Sequence, residues 1–158
     1  MADDALALVT DAEWAETMAD AEHLVDAYGE LGFSVTLLEP RTVMIRDERG
    51  PVGHGFEITV DAETLSPIHE QVAEAGLEFD ATEVYSAVGD SVTILVLVLL
   101  AREEGVALVV PLAYAEAGAA MLDAAADAGG LRTVLHDPDG RTVVFAHDDP
   151  TVFRAAGS

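Results

Sequence analysis

Ile94-Leu95-Val96-Leu97-Val98-Leu99-Leu100, inside a longer strand-like stretch from Ser91 to Ala101, is apolar at every position. Successive side chains of a strand point to opposite faces, so a strand with one wet face alternates apolar and polar residues. Seven apolar residues in succession therefore place this strand at the centre of a sheet that is covered on both sides. The wider apolar run, Val92 to Ala101 and broken only by Thr93, is about half the ~20 residues that a membrane helix needs.

Downstream, Arg102-Glu103-Glu104-Gly105 turns the chain back into a strand from Val106 to Val110. A helix over about 113–128 then ends at Gly129-Gly130, and Leu131 to His136 and Arg141 to His147 read as a hairpin around Asp137-Pro138-Asp139-Gly140. A short helix is expected from Pro150. Upstream, Val84 to Val88 precedes the central strand across Gly89-Asp90. A helix over 62–75 is expected to start properly near Ser66, because proline is best placed in a first turn. Phe33 to Leu38, Arg41 to Arg46 and Phe56 to Val60 read as strands. The clearest helix covers 11–30: Asp11 is its candidate N-cap, and Gly32 closes it. Trp14, Met18, Ala21, Val25 and Tyr28 recur there at spacings of three and four, which makes one apolar stripe.

Strands joined by short turns with three helices between them imply a single α+β domain over 1–158. The expected architecture has two layers: a mostly antiparallel sheet of about seven or eight strands with the helices on one face. The doubly apolar strand calls for cover on the other face, for which a second copy of the chain is one source. Leu24-Val25-Asp26-Ala27 with Gly32 and Arg41-Thr42-Val43 echoes Met121-Leu122-Asp123-Ala124 with Gly129 and Arg141-Thr142-Val143. Two readings stand: a repeated helix–strand–strand unit, or a chance echo in a narrow alphabet.

Thirty acidic residues face seven basic ones among 158, and all seven are arginines, for a net charge of -23. Such a chain repels itself in dilute buffer; at about 1 M salt the Debye length falls to ~3 Å and the repulsion is screened. Stability is therefore expected to rise with salt. The composition resembles that of cytosolic haloarchaeal proteins, which work in molar potassium, and implies a cytoplasmic, high-salt setting. The absence of cysteine excludes disulfides, thiolate metal ligands and cysteine nucleophiles; the absence of lysine excludes Schiff bases and the phosphate-binding P-loop. Direct nucleic-acid binding needs a basic surface that seven arginines do not promise, and the acidic start Met1-Ala2-Asp3-Asp4 lacks the positive region of a signal peptide.

Five histidines are the candidates for acid–base or metal chemistry. With Arg141 facing His136 across the last turn, His147 lies six residues further along the same face, about 20 Å away and too far to share a metal. His23 and His69 fall on helices, where surface or core-edge roles dominate. His54, between Gly53 and Gly55, reads either as a residue at a close ligand approach or as part of a bulge entering a strand. Arg41, Arg46, Arg132 and Arg141 sit on expected strands. Their two readings are ion pairs with the abundant acids and an anion- or partner-binding patch, for which the five-donor guanidinium is suited. Asp137-Pro138-Asp139-Gly140 suits a type I turn, and its glycine comes too early for a calcium loop. No serine sits in a Gly-x-Ser-x-Gly elbow. No catalytic set, metal site or cofactor motif emerges.

The closing segment, Arg141-Thr142-Val143-Val144-Phe145-Ala146-His147-Asp148-Asp149-Pro150-Thr151-Val152-Phe153, resembles the ends of small uncharacterised haloarchaeal proteins, which finish in a hairpin, a His-Asp-rich stretch and a short aromatic helix. That likeness covers the last third of the chain and implies habitat, with no activity attached. The order of helix before antiparallel strands is similar to that of secretion-chaperone-like proteins, acidic dimers that bind polypeptides, which is an analogy of element order alone.

The first functional expectation is a non-enzymatic protein–protein interaction module that self-associates or binds another protein. The alternative is a small-ligand-binding protein or small enzyme with a pocket near His54 and the strand arginines.

Overall fold

The computed structural model describes residues 5–46, 54–88, 92–128, 130–147 and 153. In chain order the elements are α1 (Asp11–Glu30), β1 (Ser34–Leu37), β2 (Thr42–Arg46), β3 (Gly55–Thr59), α2 (Ala62–Ala75), β4 (Ala81–Val88), β5 (Thr93–Ala101), β6 (Val106–Tyr114), α3 (Glu116–Ala128), β7 (Leu131–His136) and β8 (Thr142–His147), preceded by a 3-10 turn at Ala5–Leu8. The fold is α+β. Its strands form two four-stranded sheets instead of one: an inner sheet ordered β1-β6-β5-β4 and an outer sheet ordered β2-β3-β7-β8. Both are mixed, since β1 runs parallel to β6 and β3 parallel to β7 while the other four pairs are antiparallel.

The departure from a mostly antiparallel sheet originates at Glu39-Pro40. The Leu38 amide still donates to the Val109 carbonyl at 2.8 Å, which continues the β1–β6 ladder; Pro40 has no N–H to extend it. The chain crosses there into the other sheet, where the Arg41 amide bonds the Thr59 carbonyl. β1 and β2 therefore belong to different sheets, whereas β7 and β8 form a hairpin. The sequence echo between α1–β1–β2 and α3–β7–β8 is thus not matched by a common pairing.

β5 is buried at every position after Thr93, and so is β6 after Val106. Val96, Val98 and Leu100, with Ala107 and Val109, pack under Ala21 and Tyr28 of α1. Leu95, Leu97 and Leu99, with Leu108, Val110 and Leu112, face a core shared with the inner side of the outer sheet and with α2 and α3. The covering layer assigned to a second copy is α1 of the same chain. β6 runs four residues past its expected end, through Pro111. β1 stops at Leu37, opposite Val109, so Pro111 lies where β6 has no neighbour on the β1 side, and its missing N–H breaks no ladder bond. The same extension shortens α3 at its start.

Thr10, one residue before the expected cap, closes the N-terminus of α1 in a reciprocal capping box with Glu13. α2 begins at Ala62, with Pro67 inside it; burial of Leu65 and Ile68 on either side holds the turn that proline weakens by one hydrogen bond. The expected helix from Pro150 lies outside the described residues, apart from Phe153. That side chain is fully buried against Phe56, and its carbonyl accepts the Tyr114 hydroxyl at 2.9 Å.

His147 joins the two sheets. Its Nδ1 lies 3.0 Å from the Thr82 hydroxyl of β4 and its Nε2 2.8 Å from the buried Thr133 hydroxyl of β7. Phe79 and Phe145 meet edge to face beside it, 5.0 Å apart.

Candidate functional site

The residues picked out from sequence distribute over the outer sheet. Its outward side is set by strand register into three rows: Thr42, Thr59, His136 and Thr142; Met44, Glu57, Val134 and Val144; Arg46, Gly55, Arg132 and Ala146. Glu57 holds this face together, accepting Arg46 Nη1 at 2.6 Å and facing His136 Nε2 at 3.2 Å; His136 also meets the Thr59 hydroxyl at 3.2 Å. Arg41 pairs with Asp61, and Arg141 with Asp137 and Asp139. Ion pairing thus accounts for Arg41, Arg46 and Arg141, while Arg132 is exposed on β7. His54 is half-buried at the start of β3, and its carbonyl accepts the Arg132 amide. The glycine beside it answers to the neighbouring strand: a Cβ on Gly55 would lie 1.7 Å from the Arg132 carbonyl oxygen.

His136 and His147 lie on opposite faces of the outer sheet. His136 pairs with Thr142 and Leu131 with His147, a register one residue removed from the expected one, and a one-residue slip exchanges the faces.

The concave site lies elsewhere. A cavity of about 420 Å³ opens between α1 and the β4–β5 half of the inner sheet, lined by Thr17, Asp20, His23, Leu24 and Ala27 of α1, by Tyr85 of β4 and by Ile94, Leu95 and Val96 of β5. Helical spacing puts Thr17, Asp20, Leu24 and Ala27 on one stripe, beside the stripe that packs on the sheet. On β4, Glu83 and Tyr85 face α1, since alternate positions share a face, and they meet Tyr28 there. The Tyr28 hydroxyl donates to Glu83 Oε2, and the Tyr85 hydroxyl lies 3.2 Å from the same oxygen and 3.0 Å from the Tyr28 oxygen. Burial, followed by the hydrogen bond to Glu83, raises the Tyr28 hydroxyl pKa far above the ordinary tyrosine range. This phenol stays protonated and keeps donating. Neither His54 nor any of the four arginines lines the cavity.

A second hollow of about 340 Å³, between the end of α2 and β8, is lined by Val72, Leu77, Phe79, Val143 and Phe145 among others. Glu78 and Asp80 supply its polar side chains, and Asp80 is already held by the Arg102 amide and guanidinium at 3.0 and 2.9 Å.

Sequence reasoning missed Thr17, Asp20 and Tyr85, and it weighed His23 as a surface or core-edge residue of its helix. The available signal was a tyrosine–glutamate pair at i and i+2 on a strand that had to face a helix, since polar groups on a covered face need partners.

The model of a family of unknown function (DUF7529) matches residues 3–154, and the chain belongs to that family. No curated protein and no solved structure matches it.

Proposed function

We propose that this member of the DUF7529 family is a small-ligand-binding protein whose site is the groove between α1 and the inner sheet. The observation that carries this reading is the cavity itself. Its volume of about 420 Å³ lies in the 300–1,000 Å³ range of small-molecule sites, and its apolar walls carry a few convergent polar groups, the usual make-up of such sites. The acid excess supports, within the same proposal, a cytosol of molar potassium as its setting.

Binding of the neutral dye Nile red in 2 M KCl tests the groove. One dye per chain is expected in the wild type. Binding should be lost in Ala27→Trp, because Ala27 is both exposed and part of the lining, so the indole fills the cavity without disturbing the core. Absence of dye binding, or equal binding by a folded Ala27→Trp, overturns the reading.

Self-association is a second reading, on another surface. None of the apolar clusters draws on the outward rows of the outer sheet, where Val144 is 47 % exposed. A light-scattering mass of two chains in 2 M KCl supports it, and a mass of one chain ends it.

A further inference from the structure

We infer that the groove between α1 and the inner sheet selects a hydrogen-bond-donating cation, a protonated amine carried on an apolar body; the inference rests on the ligand-binding reading above. Its ground is a count of protons among the polar groups that line the groove. The Thr17 hydroxyl donates to the Glu13 carbonyl at 2.8 Å, so its oxygen faces a ligand as an acceptor. A tyrosine has one proton to give. Tyr28 gives its proton to Glu83 and has none for Tyr85. Tyr85 therefore donates either to Glu83, at 3.2 Å, or to the Tyr28 oxygen, at 3.0 Å. In both arrangements the Tyr85 proton is spent inside the protein, and lone pairs are what remain for the groove. Asp20, as a carboxylate, can only accept.

Among the described residues, three of the four polar side chains of the lining thus present acceptors, and His23 retains a donor. Among the described residues no arginine contributes to the wall. A carboxylate or phosphate head would meet acceptors and the Asp20 charge with no cation opposite. An ammonium brings three donors and the complementary charge, and charge-assisted hydrogen bonds of this kind are about twice as strong as neutral ones. Leu24, Ala27, Ile94 and Val96 supply the apolar wall for the body that carries it.

Three probes with one shared body separate the possibilities: 1-adamantanamine, 1-adamantanol and 1-adamantanecarboxylate, titrated by calorimetry in 2 M KCl, where long-range attraction by the net charge is screened. The expected order is ammonium, then alcohol, then carboxylate, with the ammonium at least about tenfold tighter than the carboxylate. Asp20→Asn with Tyr85→Phe should remove most of that preference. Asp127→Asn, an exposed acid at the end of α3, should leave it intact. If the alcohol binds but the ammonium is no tighter than the carboxylate, the proton count is wrong while the groove stands. A preference that survives the double substitution likewise overturns the inference, by assigning it to bulk charge. If no probe binds, the groove reading falls, and the inference with it.

Discussion

The inner and outer sheets have the same number of strands and one parallel pair each, yet they differ in how many of their faces are dry. In the inner sheet β5 and β6 are buried at eight of nine positions, because α1 lies on one side and the shared core on the other. In the outer sheet β8 alternates exposed and buried along its whole length, and its outward rows hold an Arg46–Glu57–His136 cluster in place of a covering helix. Hydrophobic patterning therefore reports the number of covering layers faithfully and is silent about what the covering is. The continuous run of β5 called for a second layer, and α1 satisfied that demand from within the chain. The groove sits where that cover is incomplete, at the β4–β5 side of α1.

Substitutions that probe a dry and a wet face give the largest expected contrast. Leu100→Ala, on the α1 side of β5 and 5 % exposed, should cost about 2–5 kcal/mol by lost burial and an unfilled cavity. Val144→Ala, on the outward face of β8, should stay within about 0.5 kcal/mol of the wild type, as surface changes usually do. Urea unfolding at fixed KCl measures both. A cost above about 1 kcal/mol for Val144→Ala would break the contrast, because exposed surface substitutions do not reach it, and would show that a second copy covers the outer sheet in solution.

The seam between the sheets should give a middle-sized effect. His147→Phe keeps the ring volume and its packing on Phe153 but leaves the Thr133 hydroxyl, fully buried, without the imidazole. The expected loss is about 1–3 kcal/mol, the cost of a stranded buried polar group. Adding Thr133→Val should recover part of it, since removing both partners costs less than removing one. Two additive losses in urea would mean that the Thr133 hydroxyl does not depend on the His147 imidazole.

What was legible in the sequence follows the same division. The period-two and continuous apolar patterns located every strand, because burial acts residue by residue on the chain itself. Which strands pair was legible only where a tight turn dictated it, as at Asp137 to Gly140. At Glu39-Pro40 a similar break is a crossover, and only the partner strand β6 distinguishes the two. Pro111 misled for a related reason: its cost depends on whether a neighbour exists on one side, which is a property of the sheet. One residue of register at the last hairpin was enough to place His136 and His147 on the wrong faces relative to each other. Arg41, Arg46 and Arg141 were legible as ion-pair partners. The groove was not, because Tyr28 and Tyr85 are 57 residues apart in sequence and meet only through the packing of α1 on β4.

The smallest expected effect concerns the turn that the sequence did specify. Asp137 accepts the Asp139 and Arg141 amides on Oδ1, at 2.9 and 3.0 Å, and the Arg141 guanidinium on Oδ2 at 3.3 Å. Burial pushes its carboxyl up, but these hydrogen bonds and the charge of Arg141 outweigh it and hold the group below the ordinary aspartate value of 3.8. The folded chain therefore binds this proton less readily than the unfolded chain does. The resulting stabilisation is present above the unfolded value and is lost as pH falls through the folded one. Asp80, lowered by the Arg102 amide and guanidinium, acts in the same direction from an exposed site, where salt screens it more. Asp137→Asn keeps an oxygen for the two amides and removes the charge, so the decline in the urea midpoint between about pH 5 and pH 2 should become shallower. Asp80→Asn should flatten it less, and the gap between the two variants should widen from 0.1 M to 2 M KCl as the exposed pair is screened. An acid decline unchanged in Asp137→Asn would mean that the turn holds its geometry without drawing on the carboxylate charge.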